Sequence, residues 1–170
     1  MPVNLFTFVD LYARLLDTAA HILKKGVEHA KATGVSEQGM LDWRLIDDMQ
    51  PLRFQLSVVC NFSRQWPARV AGLPVPEDIG VDLDVAGFQK EIAASREFLA
   101  ALTPKQYEER EDVQLKVSLA GGQMEPTLPA SRWLTVFATT NMYFHLSTAY
   151  GILRSKGVQI GKLDLFSTGL

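Results

Sequence analysis

The chain has 170 residues, 47% of them apolar and 21% charged, and a formal net charge of −2. That length suits one domain, read here as 1–170, and that apolar fraction builds a core and argues against long disorder. Lys and Arg are scattered, which excludes the basic footprint of a nucleic-acid binder. No run approaches the ~18 uninterrupted apolar residues of a membrane span. The start, MPVNLFTFVDLYARLL, carries Asp10 and Arg14 inside its apolar stretch and reads as neither signal peptide nor anchor. Cys60 is the sole cysteine, so an internal disulfide and a cysteine-rich zinc module are excluded. The expectation is a soluble cytoplasmic protein with no membrane and no nucleic acid among its partners.

Leu5, Phe8, Tyr12, Leu15, Ala19 and Ile22 recur at steps of three and four, which predicts a first helix from about Asn4 to Lys31 with Asn4 as N-cap and Gly34 as the stop. Val35 to Asp47 reads as a connector that packs down through Trp43, Leu45 and Ile46. A second helix is predicted from Asp47 or Asp48, with Pro51 in its first turn and Leu52, Leu56, Val59, Phe62, Trp66 and Val70 as its stripe. Pro67 inside that pattern predicts a kink or an end. After the Pro- and Gly-rich loop Gly72–Val81, a third helix follows, capped by Asp82 or Asp84 and buried along Val85, Phe88, Ile92, Leu99 and Leu102.

The period then changes. Val113, Leu115, Val117 and Leu119 alternate with polar residues, which is strand spacing. Gly121–Gly122 supplies the turn of a hairpin, with Gln123–Thr127 as the return strand and Pro126 confining it to an edge. A fourth helix is predicted from about Pro129 to Lys156, with Gly157 at its C-terminal stop. The fold class is therefore all-α: a four-helix bundle with a small β-hairpin between the third and fourth helices. The Glu108–Asp112 run reads as a solvated charge cluster, and His21 as a surface residue.

Functional candidates are polar residues where apolar ones are expected. On the fourth helix, Asn141 and His145 stand four apart and share one face. On the second, Asp48 and Gln55 fall on the inward series. Two readings follow: a polar pocket that orients a small ligand or a metal, or a hydrogen-bonded core network without function. Trp133 and Tyr150 are further lining candidates, Trp133 also being a natural packing anchor. His29 sits where a helix dipole favours it, and Cys60 reads as a small core residue.

The stretch from Asn141 to Lys162, with its Leu153-Arg154-Ser-Lys-Gly157 ending, resembles the end of the DinB-like superfamily, and more closely a branch known only as a domain of unknown function. The Arg44–Gln55 phrase and the Gly72-Leu-Pro-Val-Pro76 loop resemble that branch too. The resemblance implies a DinB-like bundle, often a homodimer. It also implies, for metal-dependent members, one histidine on the second helix and a pair spaced by four on the fourth. Here the later of the pair falls on His145, the earlier on Asn141, and the second-helix position near Gln55. Two of the three positions thus hold amides, which bind zinc weakly. No cofactor is expected, and a degenerate metal site through His145 and Asp48 is the remaining metal alternative. The reading is a protein that binds, and transforms, a small organic molecule. His145 serves as acid/base with Asp48 orienting it, and Gln55, Asn141, Trp133 and Tyr150 line the ligand. The alternatives are a non-catalytic dimeric bundle and a degenerate metal-dependent transferase or isomerase.

Overall fold

A computed structural model describes residues 4–166; the ends of the expected 1–170 domain lie outside the described residues. Four helical stretches carry the core. Helix α1 is Thr7–Ala32, α3 is Leu52–Ala71 and α4 is Val85–Ala100. The last is continuous from α5 (Ala130–Arg132) through one wide π turn (Trp133–Ala138) into α6 (Thr139–Ser155). Their buried faces meet in one cluster, in which α3 packs on α6 and α4, and α1 on all three. No helix among the described residues is long and apolar enough to cross a membrane.

Local chemistry accounts for most boundaries. Asp84 accepts the Gly87 N–H at 2.7 Å and caps α4. Gly72 ends α3 at φ 73° and Gly157 follows the last helix at φ 90°, a region that penalises any Cβ. Other boundaries differ from expectation. The first helix begins at Thr7 rather than Asn4, because Asn4 uses its side chain on the Phe6 N–H at 3.0 Å to build the preceding turn. The expected connector contains a short helix, α2 (Glu37–Leu41), capped by Ser36 on the Gly39 N–H. The second long helix starts after Pro51, not at Asp47 or Asp48. It also runs through Pro67 to Ala71 without ending there. Trp66, Ala68 and Val70 are buried in that last stretch, and their packing outweighs the one hydrogen bond the proline removes.

Strands β1 (Gln114–Lys116) and β2 (Thr127–Pro129) pair antiparallel, Leu115 opposite Leu128. The return strand is thus later than expected, and Leu119 and Met124 form a separate bridge nearer the turn. The charged run before the hairpin is not merely solvated: Arg110 donates from Nε to Val70 O at 2.7 Å and ties it to the end of α3. His21 likewise has a partner, Asp164, at 2.7 Å. That hydrogen bond, joined by one from the Gly161 N–H, holds the Asp164 carboxyl below its usual range and fastens the C-terminal turn to α1.

Candidate functional site

The site grows from the α3–α6 contact. Gln55 sits in the first turns of α3 and is only 2% exposed. A buried amide needs partners for both ends. Its Nε2 donates to Gln50 O, just ahead of the helix, at 2.9 Å, and its Oε1 lies 2.7 Å from His145 Nδ1 on α6. The Gln50 carbonyl can only accept, so the amide orientation is determined, and Oε1 must face the imidazole. Nδ1 therefore carries the proton, and Nε2 holds a lone pair. That Nε2 has no hydrogen bond within the described residues and is not among the side-chain atoms sealed from solvent without a partner.

The ring is half-buried. Phe54 lies edge-on to it at 6.0 Å between centroids and Phe144 at 5.1 Å. Desolvation disfavours the imidazolium and holds the His145 pKa below its ordinary value of 6.5. The result is a neutral imidazole at pH 7 in a fixed tautomer, able to accept a hydrogen bond or a proton.

Only two of the predicted site residues meet. Asn141 is one turn away on α6, but its Nδ2 donates back to Phe137 O at 2.8 Å within its own helix. Asp48 is exposed on the connector ahead of α3 and stands outside the Gln55–His145 pair. Trp133 is buried, stacks on Trp66 at 5.1 Å and donates from Nε1 to Leu115 O at 2.9 Å. Tyr150 is partly buried against the core. Cavities of about 540 Å³ between α1 and α4, about 350 Å³ between α1 and α6, and about 300 Å³ beneath the 78–81 loop are lined by other residues, apart from Phe54 in the third. Phe54 and Phe144 were missed as flanking groups; each is the sequence neighbour of a candidate, and that was the available signal.

The two lone candidates elsewhere resolve simply. His29 bonds Lys156 O from Nε2 at 3.0 Å. Cys60 is fully buried, and burial pushes its thiol up to about 12, so it is not a nucleophile at neutral pH. Ser57, Asn61 and Gln65, one turn apart on α3, hold the loop after that helix through Gly80 O, the Ile79 backbone and Pro76 O.

His145 thus stands on the last helix opposite an early turn of α3. A family model described as a domain of unknown function (DUF1993) matches residues 6–166. The chain belongs to this family. Among solved structures, it is similar to a DinB family member protein from Shewanella denitrificans, with 26% identity over 95% of this chain and 90% of that one, and a TM-score of 0.83. No curated protein matches the chain. The chain is thus DinB-like in fold.

The residues present do not fit the three-histidine metal site of DinB-like metalloproteins. No group of three or more His, Cys, Asp or Glu among the described residues is placed to hold an ion. A metal on His145 would have to use Nε2, because Nδ1 is held by Gln55. The same Gln55 oxygen faces Nδ1, on the other side of the ring, and cannot ligate that metal without breaking its own buried bond.

Proposed function

We propose that the protein binds a small organic molecule at the α3–α6 surface, with His145 Nε2 accepting a hydrogen bond or a proton from it. The observation that carries this reading is the chain Gln50 O, Gln55, His145: a buried amide, satisfied at both ends, that fixes the tautomer and leaves one nitrogen open. An imidazole held this way can act as a general base, since it is neutral at pH 7 with its accepting nitrogen open and its orientation already set. A ligand that complements it supplies an O–H or N–H beside an apolar body, because Phe54 and Phe144 flank the ring. Transformation of that ligand is the enzymatic extension of the same reading.

The test is NMR of the imidazole nitrogens. The expected result is protonated Nδ1 and unprotonated Nε2 at pH 7, with a pKa below 6.5. Phenol, used as a simple donor-bearing probe, should shift Nε2 in the wild type and lose that effect in His145→Phe. In Gln55→Leu the tautomer preference should relax and stability should fall by about 1–3 kcal/mol, as buried groups lose partners. The pH dependence has a definite sign. A histidine whose folded pKa is depressed contributes its stability above the unfolded value of 6.5, and that contribution is lost as pH falls from 6.5 through the lower folded value. An Nε2–H tautomer, or no phenol response at His145, overturns the reading.

The proposal includes no metal. Elemental analysis of protein purified without a metal-affinity tag should find no stoichiometric zinc, nickel or iron. Near-stoichiometric metal that disappears in His145→Ala would restore the metalloenzyme alternative. A second reading, a non-catalytic dimeric bundle, is favoured by one observation: Gln55 and His145 bond to each other, and Asn141 bonds within its own helix, as a structural network does.

A further inference from the structure

The loop between α3 and α4 is held down as a wall. Ser57 donates to Gly80 O at 3.0 Å, and Asn61 Oδ1 accepts the Ile79 N–H at 2.8 Å. Gln65 Nε2 donates to Pro76 O at 3.0 Å and to Asp78 Oδ1 at 2.7 Å. On the adjacent stripe of α3, Phe54, Val58 and Phe62 recur every four residues. Between that stripe and Ile79 and Val81 of the loop lies the cavity of about 300 Å³, the size of a small ligand. Its floor follows the α3–α6 seam. Phe54, at one end, has its ring 6.0 Å from that of His145. Phe62, two turns or about 12 Å further on, stacks on Phe137 at 6.1 Å. The cavity therefore adjoins the His145 site, with Phe54 as the shared wall.

The lining carries one sign of charge. Asp78 is its only acidic or basic side chain, and no Lys or Arg among the described residues pairs with it. The arginines on the same helix are engaged elsewhere, Arg53 with Asp42 at 2.8 Å and Arg64 with Glu91 at 3.4 Å. The donors of Ser57, Asn61 and Gln65 are directed at the loop. What remains open is therefore an acceptor at each end, the second oxygen of Asp78 and Nε2 of His145. A carboxylate or phosphate ligand would meet like charge and no base. An ammonium meets a carboxylate and phenylalanine rings, and a ring between Phe54 and Phe62 suits the apolar floor. We propose that the ligand of the His145 site is a small arylalkylamine: its ring lies over Val58 beneath the loop, its ammonium on Asp78, and its O–H or N–H at the other end on His145 Nε2. This assignment rests on the reading of His145 given above and adds the ligand's charge and shape.

Calorimetric titration of the full chain with tyramine and with 4-ethylphenol tests it, since the two probes differ by the ammonium alone. Tyramine should bind roughly tenfold tighter at low salt, through an ion pair and a cation–π contact at a partly open site. That advantage should shrink as salt is raised. Asp78→Asn, at an exposed position, keeps an amide oxygen for Gln65 and should keep the thermal midpoint. It should bring tyramine down to the level of 4-ethylphenol and leave 4-ethylphenol unchanged. 3-(4-Hydroxyphenyl)propanoate, with a carboxylate in place of the ammonium, should bind more weakly than 4-ethylphenol. The Nε2 signal of His145 separates this assignment from the reading beneath it, because both phenols should shift it in the wild type and in Asp78→Asn. An Nε2 that responds to both while tyramine has no advantage, or an advantage that survives Asp78→Asn, overturns the amine assignment alone. An Nε2 silent to both overturns the reading of His145, and the assignment with it.

Discussion

Trp133→Ala is expected to lower the free energy of unfolding by about 3–5 kcal/mol, the range for truncating a large buried aromatic. Trp133 is fully buried at the start of the π turn. It stacks on Trp66 of α3 at 5.1 Å and meets the edge of Phe137 at 5.2 Å. Its indole N–H donates to Leu115 O, so the same side chain attaches strand β1 to the helix. Truncation removes aromatic contacts, opens a cavity between two helices and orphans a strand carbonyl. Trp133→Phe separates the terms, because it keeps most of the stacking and loses the hydrogen bond; its cost should be nearer 1 kcal/mol. Urea unfolding followed by circular dichroism measures both. A loss under about 1 kcal/mol for Trp133→Ala would mean the site collapses freely and the residue is not a packing anchor.

Leu56→Ala is expected to cost about 2–5 kcal/mol. Leu56 is fully buried on the core side of α3, one residue after Gln55. It belongs to the shared core on a helix that packs against α1, α4 and α6, where interiors are close-packed and a void is felt. Helix propensity slightly favours alanine over leucine and cannot account for a loss of that size. The measurement is again denaturant unfolding, with an unchanged m-value as the sign that the native state stays compact. A loss below about 0.5 kcal/mol would show that the stripe faces away from the core.

The stripes themselves were legible because burial repeats with the helical period whatever the neighbours are. Leu5 just ahead of α1, Tyr12, Leu15, Ala19 and Ile22 within it, and Val85, Phe88, Ile92 and Leu99 in α4 all lie in the core as spacing implied. The Asp84 cap and the glycines at 72 and 157 were equally readable, since each answers a demand of its own backbone. The four-residue spacing of Asn141 and His145 set them on one side of one helix, and Gln55 on the inner series of another, without reference to any other part of the chain.

What spacing could not decide was which polar groups become partners. Asn141 and His145 looked equivalent, yet the amide found a carbonyl in its own helix at 2.8 Å while the imidazole reached Gln55, ninety positions away in sequence, at 2.7 Å. That choice depends on how α3 and α6 are set against each other. The π turn is of the same kind. Its Leu134 carbonyl is served by Thr139 Oγ1 at 2.8 Å and by the Tyr12 hydroxyl of α1 at 3.2 Å, and Tyr12 is not part of the local sequence. The start of α3 at Pro51, its passage through Pro67 and the His21–Asp164 pair likewise answer to packing from elsewhere. Local sequence determined the helices, their inner faces and their stops, because those follow from each segment's own backbone and periodicity. Tertiary structure alone chose the long-range partners, such as Gln55 for His145 and Leu134 O for Tyr12, because those hydrogen bonds are decided by distance in space, and only the assembled bundle sets that distance.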